Sequence, residues 1–343
     1  MSSTPRLAVV VVCHDSATDV VPTLRALRPQ LASGDEVVVV DNASTDGTPE
    51  AVRAAAPEVT VIETGDNLGF AGGCHVGVRA CTAPLILLLN PDAVPAPGCV
   101  DALRARADDR PEWGAWQALV TMPDERIVNT AGNVAHYLGF GWAGQCGRPV
   151  AQVDQQPHEV GFGSGAALVV RREAWSAVGG FDERYFMYGE DLDLSLRLRL
   201  AGWGVGIAPA ARVTHDYEFT KGDYKWFYLE RNRWWTLLGV YPARLLVLLA
   251  PALVAFEAAL LLAAWRGGWL RAKLRAQAAV LASVPAMLRR RRAVQATRRI
   301  AARAFAERLT ASLDSPYLEG AARVPGVDAA QRWYWRAVRA GLG

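Results

Sequence analysis

Cysteine is scarce in this chain and falls into no pattern. The 343 residues include five, Cys13, Cys74, Cys81, Cys99 and Cys146, an odd and scattered set with no Cys-x-x-Cys. That argues against a structural zinc site and a disulfide framework, and it fits a reducing compartment. The apolar run 7–12 is too short for the core of a signal peptide and no cleavage-like segment follows, so no secretory leader is expected. No internal repeat is visible, which sets aside solenoids and arrays. Positive charge is sparse in the front of the chain. Residues 1–242 carry 20 Lys/Arg against 29 Asp/Glu, which argues against a nucleic-acid partner for that part. Residues 243–343 invert the balance, with 17 Lys/Arg against 5 Asp/Glu, so the rear needs an anionic surface or a counter-charge.

What is present begins with short apolar runs that alternate with helical spacing. Runs at 7–12, 36–40, Thr60–Glu63 and Leu85–Leu89 read as strands, and 17–31, 49–56 and 69–80 read as helices. Such alternation predicts an α/β fold with a parallel, doubly wound sheet covered on both faces. Ligands bind at the carboxyl ends of strands in such sheets. Residues 113–170 read as strands and loops rich in Gly and aromatics, and 205–208 as a further strand.

Three polar clusters fall at strand or helix ends. Asp41 closes the second strand and opens Asn42-Ala43-Ser44-Thr45-Asp46-Gly47-Thr48. A carboxylate there can accept bonds from a base or ribose, and the competing reading is a turn and helix cap. Ala43 stands at a ligand position of a calcium loop, which excludes one. The run Asn67-Leu68-Gly69-Phe70-Ala71-Gly72-Gly73 can bring backbone close to a nucleotide, or simply turn tightly into a helix. It is not Gly-x-Gly-x-x-Gly. Asn90-Pro91-Asp92 ends the fourth strand; Asp92 suits Mg²⁺ or Mn²⁺ beside phosphates, and the alternative is an Asn-Pro turn.

The most unusual stretch is Phe181-Asp182-Glu183-Arg184-Tyr185-Phe186-Met187-Tyr188-Gly189-Glu190-Asp191. Adjacent carboxylates repel, and burial raises their pKa values, as a general base requires. The competing reading of Glu190-Asp191 is a charge pair at a helix N-terminus. Beyond it Leu192, Leu194, Leu196, Leu198 and Leu200 alternate as in a strand. Leu and Arg favour helix, however, and Gly202 sits where a helix would stop, so the segment is read as a helix. His215 follows the strand at 205–208; a lone His is ordinarily structural, and its case rests on position.

In this order and spacing the motifs at 39–48, 67–73, 88–93 and 189–194 resemble those of family 2 glycosyltransferases, with the rhamnosyltransferase-like, cell-wall-assembling branch nearest in appearance. The resemblance covers roughly residues 7–240. It implies the GT-A fold, Rossmann-like with a mixed, mostly parallel sheet, and transfer from a nucleotide sugar with inversion. It further implies that Asp41 holds the base and ribose side, that Asn67, Gly69, Phe70 and Gly72 line the base pocket, and that Asn90 and Asp92 stand at the Asp-x-Asp site. Asp92 would bind the metal, Mg²⁺ or Mn²⁺, with His215 completing its shell. Asp191 would be the general base beside Glu190, and Arg231, in Arg231-Asn232, would lie near the phosphates or acceptor. Asn90 departs from the family's first Asp, and Cys13-His14-Asp15 and Cys74-His75 depart from its Thr-Tyr-Asn and Asn-Asn. The Gln-x-x-Arg-Trp of processive synthases is missing, so one sugar per encounter is expected.

Residues 241–343 are expected to form a helical, basic, membrane-associating region behind a catalytic domain at 1–240. The apolar segment 245–264, broken by Pro251 and Glu257, has the length of a marginal transmembrane helix. The donor is cytosolic, so one crossing would export the arginines that follow, against the positive-inside tendency. A peripheral or monotopic anchor on the cytoplasmic face of the cell membrane keeps them near anionic lipid. The alternatives are a soluble helical subdomain and an oligomer interface. An acceptor glycan carried on a polyprenyl diphosphate would account for such a tail, and dTDP-rhamnose is the expected donor. The rival functions are a nucleotidyltransferase, which needs a basic triphosphate pocket, and a non-catalytic sugar-nucleotide-binding membrane scaffold, which needs neither the Glu-Asp pair nor His215.

Overall fold

The computed structural model describes residues 6–216, 224–312 and 326–343. They fall into two compact units. The first holds residues 6–133, 143–187 and 203–216, and the second holds 134–142, 188–202, 224–312 and 326–343.

The first unit starts with β1 (Leu7–Cys13), α1 (Ala17–Leu27), β2 (Glu36–Asp41), α2 (Thr48–Ala55), β3 (Thr60–Glu63), α3 (Gly69–Arg79) and β4 (Leu85–Leu89). These are the predicted elements, displaced by a few residues at most. β1 pairs in parallel with β2 and with β4, and β2 in parallel with β3. All residues of β1 and β4 are buried, so both strands read as unbroken apolar runs rather than alternating ones. Helix α3 lies close on this sheet because it has glycines where it meets β1. A Cβ at Gly73 would stand 2.5 Å from Val12 Cγ1, and one at Gly77 2.3 Å from Val10 Cγ1.

The chain then adds β5 (Ala93–Pro95), α4 (Cys99–Asp109), β6 (Trp113–Thr121), β7 (Val128–Thr130), the short strands β8 (Asn133–Ala135) and β9 (Gly141–Ala143), β10 (His158–Glu159), β11 (Ala167–Arg171), α5 (Arg172–Val178) and, after the segment assigned to the second unit, β12 (Gly204–His215). The main sheet runs β10-β12-β6-β11-β4-β1-β2-β3, with β5 on β12 and β7 on β6. β11 is antiparallel to both β4 and β6, so the sheet is mixed. β12 is longer than the predicted strand. Its pairing with β6 slips between Ala208 and Arg212, around Pro209, whose missing N–H cannot join a ladder. Past the slip the strand pairs antiparallel with β5, setting His215 opposite Ala93.

The second unit comprises α6 (Glu190–Leu200), α7 (Tyr224–Val240), α8 (Ala243–Arg266), α9 (Leu270–Ala296), α10 (Ala302–Ala306) and α11 (Val327–Ala340), together with residues 134–142. The leucine alternation after Glu190 is helical. Every residue of α6 except Asp191 is buried, so the helix has no solvent face to give it an amphipathic period. Its buried polar side chains find partners instead. Asp193 is fully buried between Arg197 at 2.7 Å and Arg290 of α9 at 2.5 Å. Burial opposes its charge, but the two guanidiniums hold its carboxyl below the usual range.

Candidate active site

In the first unit, the carboxyl ends of β1, β2, β4 and β12 and the loops after them carry the polar groups. Asp41 is 2 % exposed. Its Oδ2 accepts from the Ser44 amide at 3.1 Å, which satisfies the turn. Its Oδ1 is buried with no hydrogen-bond partner among the described residues. A buried carboxylate oxygen left open is costly unless a ligand donates to it. Asp46, by contrast, is spent on structure: it accepts from Thr48 Oγ1 at 2.6 Å and from the Ala17 amide at 2.9 Å. The turn reading therefore holds for the Asp46 end of this motif and leaves Asp41 available.

Asn42 donates from Nδ2 to the Gly69 carbonyl at 2.9 Å, tying the Asp41 turn to the start of α3. Asn67 accepts the Gly69 amide at 2.9 Å, so its side chain shapes the turn itself. Gly69 has φ +70°, and a Cβ there would stand 2.5 Å from the Phe186 carbonyl oxygen. The Ala71 amide donates to that same carbonyl at 3.4 Å. Gly72 is buried beneath Leu68, and the Phe70 ring lies 5.7 Å from that of Phe181. The aromatic loop 181–187 thus packs on the Gly69 turn.

Asp92 and His215 meet. Asp92 Oδ1 is 3.1 Å from His215 Nε2, and Asn90 Nδ2 is 3.5 Å from the same nitrogen. The contact follows from the β5–β12 register, which sets His215 beside the residue after Asp92. Asn129, which sequence reasoning did not single out, donates to the His215 carbonyl at 3.2 Å. Cys13 at the end of β1 is buried, and burial together with the charges of Asp41, Asp46 and Asp92 pushes its thiol far up, so it stays protonated. No group of three or more His, Cys, Asp or Glu able to hold a metal occurs among the described residues.

In the second unit, Glu190 and Asp191 open α6. Tyr188 and Gly189 both have positive φ, +65° and +81°, and this pair of left-handed residues turns the chain into the helix. Glu190 is 7 % exposed, and its Oε2 has no hydrogen-bond partner among the described residues. Burial, then the charge of Asp191, pushes its carboxyl up to about 8. Asp191 is half-buried. Asn232, 1 % exposed, donates from Nδ2 to the Tyr188 carbonyl at 2.7 Å, and its Oδ1 accepts from Arg231 Nε at 2.9 Å. The Arg231 guanidinium lies over the Trp235 ring at 4.2 Å. Lys225, another residue the sequence did not flag, is buried with its ammonium 5.5 Å from the Tyr188 ring centre, and burial lowers it to about 8. The aromatic-basic composition of 224–235 was the signal for it. A cavity of about 360 Å³ in this unit, bordered by Thr310, Arg332 and Trp335, involves none of these groups.

The family model for glycosyl transferase family 2 matches residues 8–176. A Mycobacterium tuberculosis protein named N-acetylglucosaminyl-diphospho-decaprenol L-rhamnosyltransferase is 34 % identical over 238 residues, 63 % of this chain and 78 % of that one. The chain belongs to glycosyl transferase family 2. It is a glycosyltransferase, and among solved structures its fold resembles GalNAc-T7 with UDP, GalNAc and Mn²⁺ (TM-score 0.56, 13 % identity, 70 % of this chain and 48 % of that one). It also resembles a Staphylococcus aureus TarS fragment with UDP (TM-score 0.51, 15 % identity, 98 % and 90 %) and a Pyrobaculum calidifontis mannosyltransferase with GDP-Man and Mn²⁺ (TM-score 0.50, 19 % identity, 99 % and 86 %). These likenesses bear on the fold, which is of the GT-A kind. The glycosyltransferase is also similar to a Myxococcus xanthus O-antigen biosynthesis protein, 28 % identical over 62 % of this chain and 17 % of that one.

Proposed function

We propose that the glycosyltransferase moves a sugar, with inversion, from a nucleotide diphosphate sugar to a hydroxyl of a glycan carried on a lipid diphosphate. The observation that carries the reading is the pairing of Asp92 with His215 at 3.1 Å, in a unit whose buried Asp41 Oδ1 lacks a partner among the described residues. Asp41 would accept from the base or ribose, and the turn at Asn67, Gly69, Phe70 and Gly72 would carry the backbone beside it. Asp92 and His215 offer one carboxylate and one imidazole, a mixed set that would hold Mn²⁺ or Mg²⁺. When bound there, such a cation supplies positive charge against the departing diphosphate.

The chain's own chemistry falls to the Glu190-Asp191 turn. Asp191 would take the proton of the acceptor hydroxyl as its oxygen bonds to the anomeric carbon. The bond from that carbon to the diphosphate oxygen breaks from the opposite face, and the nucleoside diphosphate leaves with the electron pair. Glu190, held protonated by burial, would tune Asp191 or hold the acceptor. Within its own unit, Asp191 opens α6 as the one residue of that helix that is not buried, so its carboxylate is open to an acceptor. Arg231 would lie near phosphates or acceptor.

dTDP-rhamnose is the donor favoured by the similarity to the mycobacterial rhamnosyltransferase, whose name also supplies the lipid diphosphate acceptor. A lipid-borne acceptor and cytosolic donor would place the enzyme on the cytoplasmic face of the cell membrane. A donor panel incubated with purified protein and lipid-linked acceptor, read as nucleoside diphosphate release, tests this. Release from dTDP-rhamnose above UDP- and GDP-sugars supports the assignment. Donor binding without release under any pairing would contradict it and favour a scaffold.

A further inference from the structure

Helix α8 is long and apolar enough to cross a membrane by length and composition. We propose instead that α8 and α9 form one face that lies along an anionic lipid bilayer, with Glu257 fixing them in that posture. The proposal deepens the membrane reading above and stands apart from the choice of donor.

The apolar side of each helix is uncovered. On α8, Val247 and Val254 are each 72 % exposed and Trp265 is 66 % exposed. On α9, Leu274, Leu281 and Leu288 recur every seven residues and are 50 %, 73 % and 54 % exposed. Glu257 of α8 meets α9, accepting from Lys273 Nζ at 2.7 Å and from Gln277 Nε2 at 3.0 Å. At 3.6 residues per turn, Val247, Val254 and Trp265 sit about a quarter-turn from Glu257, and Leu274, Leu281 and Leu288 sit about a quarter-turn from Lys273 in the same rotational sense. The short link 267–269 joins the helices as a hairpin, and across a hairpin equal rotations from the contact line bring both arcs to the same side.

Charge identifies the partner. Arg266, Arg271, Arg275, Arg289 and Arg292 are exposed along these helices. The one acidic residue in 243–296 is Glu257, whose side chain is only 16 % exposed. An apolar stripe flanked by arginines, with no exposed carboxylate, matches the interface of an anionic bilayer.

Glu257 also decides between lying and crossing. It sits well inside α8 and belongs to a buried cluster with Arg233, Lys273 and Glu230, in which Lys273 is fully buried. The side of α8 away from the stripe is engaged as well, through the Phe256–Phe140 ring stack at 5.3 Å and the Tyr334 hydroxyl on the Leu248 carbonyl. A crossing helix would carry Glu257 into hydrocarbon and strip these contacts, whereas a helix lying in the interface keeps all of them.

The test is flotation of the full chain with preformed vesicles of phosphatidylcholine alone and of phosphatidylcholine with phosphatidylglycerol. The wild type is expected to float with the anionic vesicles. Val254→Glu/Leu281→Glu should lose at least tenfold in partitioning, and Arg271→Gln/Arg275→Gln on the order of 10- to 30-fold, at unchanged circular dichroism. Cysteines placed by Ala243→Cys and Arg266→Cys should both react with an impermeant maleimide added outside vesicle-bound protein. Equal binding to neutral vesicles, full binding by the variants, or protection of one cysteine would overturn the proposal. So would a soluble dimer dissolved by Val254→Glu without vesicle binding. Transfer to a lipid-free acceptor is unaffected by any of these results, so the catalytic reading fails or stands on its own.

Discussion

Gly69→Ala tests the junction between the glycine turn and the aromatic loop. Two costs add at this residue. The backbone is left-handed at φ +70°, which a side chain tolerates only at about 1–2 kcal/mol. The new Cβ would also stand 2.5 Å from both the Phe186 carbonyl oxygen and its ring Cδ2. That carbonyl is backbone, on a residue itself at φ +65°, so it cannot simply rotate aside. Relieving such overpacking costs about 1–3 kcal/mol. Gly65→Ala is the matched control: Gly65 lies in the same loop at φ +77°, with nothing within 4 Å of a Cβ. It should pay the backbone cost alone. In thermal unfolding of the first unit, at about 2–4 °C per kcal/mol for a domain of about 150–250 residues, Gly65→Ala should lower Tm by about 2–8 °C and Gly69→Ala by about 4–20 °C. Gly69→Ala should also raise the donor KM, because the turn beside Asp41 moves, while Gly65→Ala leaves it near wild type. Equal Tm and KM for the two variants would refute the packing argument.

Three further outcomes follow from the geometry. His215→Ala should lower kcat/KM by 10- to 100-fold and weaken activation by Mn²⁺, and chelation should abolish wild-type turnover until Mg²⁺ or Mn²⁺ is restored; chelator-insensitive turnover would contradict the Asp92–His215 assignment. Because the Glu190 carboxyl is raised from 4.5 to about 8, the folded state binds more protons than the unfolded one between those values, so this group makes stability fall as pH rises through that window. Glu190→Gln should flatten that fall in urea titrations from pH 5 to 8, and an unchanged slope would refute it. Asn232→Ala frees the Tyr188 carbonyl and should lower kcat several-fold with little change in donor KM, whereas an equal loss in donor affinity would mean that Asn232 contacts the donor side.

Much of this was legible in the chain because particular residues leave few options. The runs at β1 and β4 are apolar throughout and end at polar turns, so their place in a sheet buried on both faces could be read directly. α6 was harder, because a helix buried all round shows no period. Among its polar odd positions, Asp193 is buried because it pairs with Arg197 one turn on and with Arg290, almost a hundred residues away, a partner that no local spacing shows. The reach of β12 to His215 was hidden by Pro209-Ala210-Ala211, which reads as a break and is a bulge. At the site, Asp41 and Asp46 sit in the same turn and look alike in sequence. Only the hydrogen bonds show that Asp46 is consumed by the turn and Asp41 keeps an open oxygen. Asn129 acts through a tertiary contact with the His215 carbonyl, which no local spacing encodes, whereas Asn232 and Lys225 lie in the aromatic-basic run 224–235, whose composition marks the segment but not the contacts to Tyr188.

The central claim is that Asp191 removes the acceptor's proton. Its most direct test compares wild type and Asp191→Asn for acceptor-dependent release of nucleoside diphosphate, with donor affinity measured separately. The account predicts a loss of about 10²–10⁴-fold in transfer at near-unchanged donor affinity. Near-normal transfer by Asp191→Asn would contradict it.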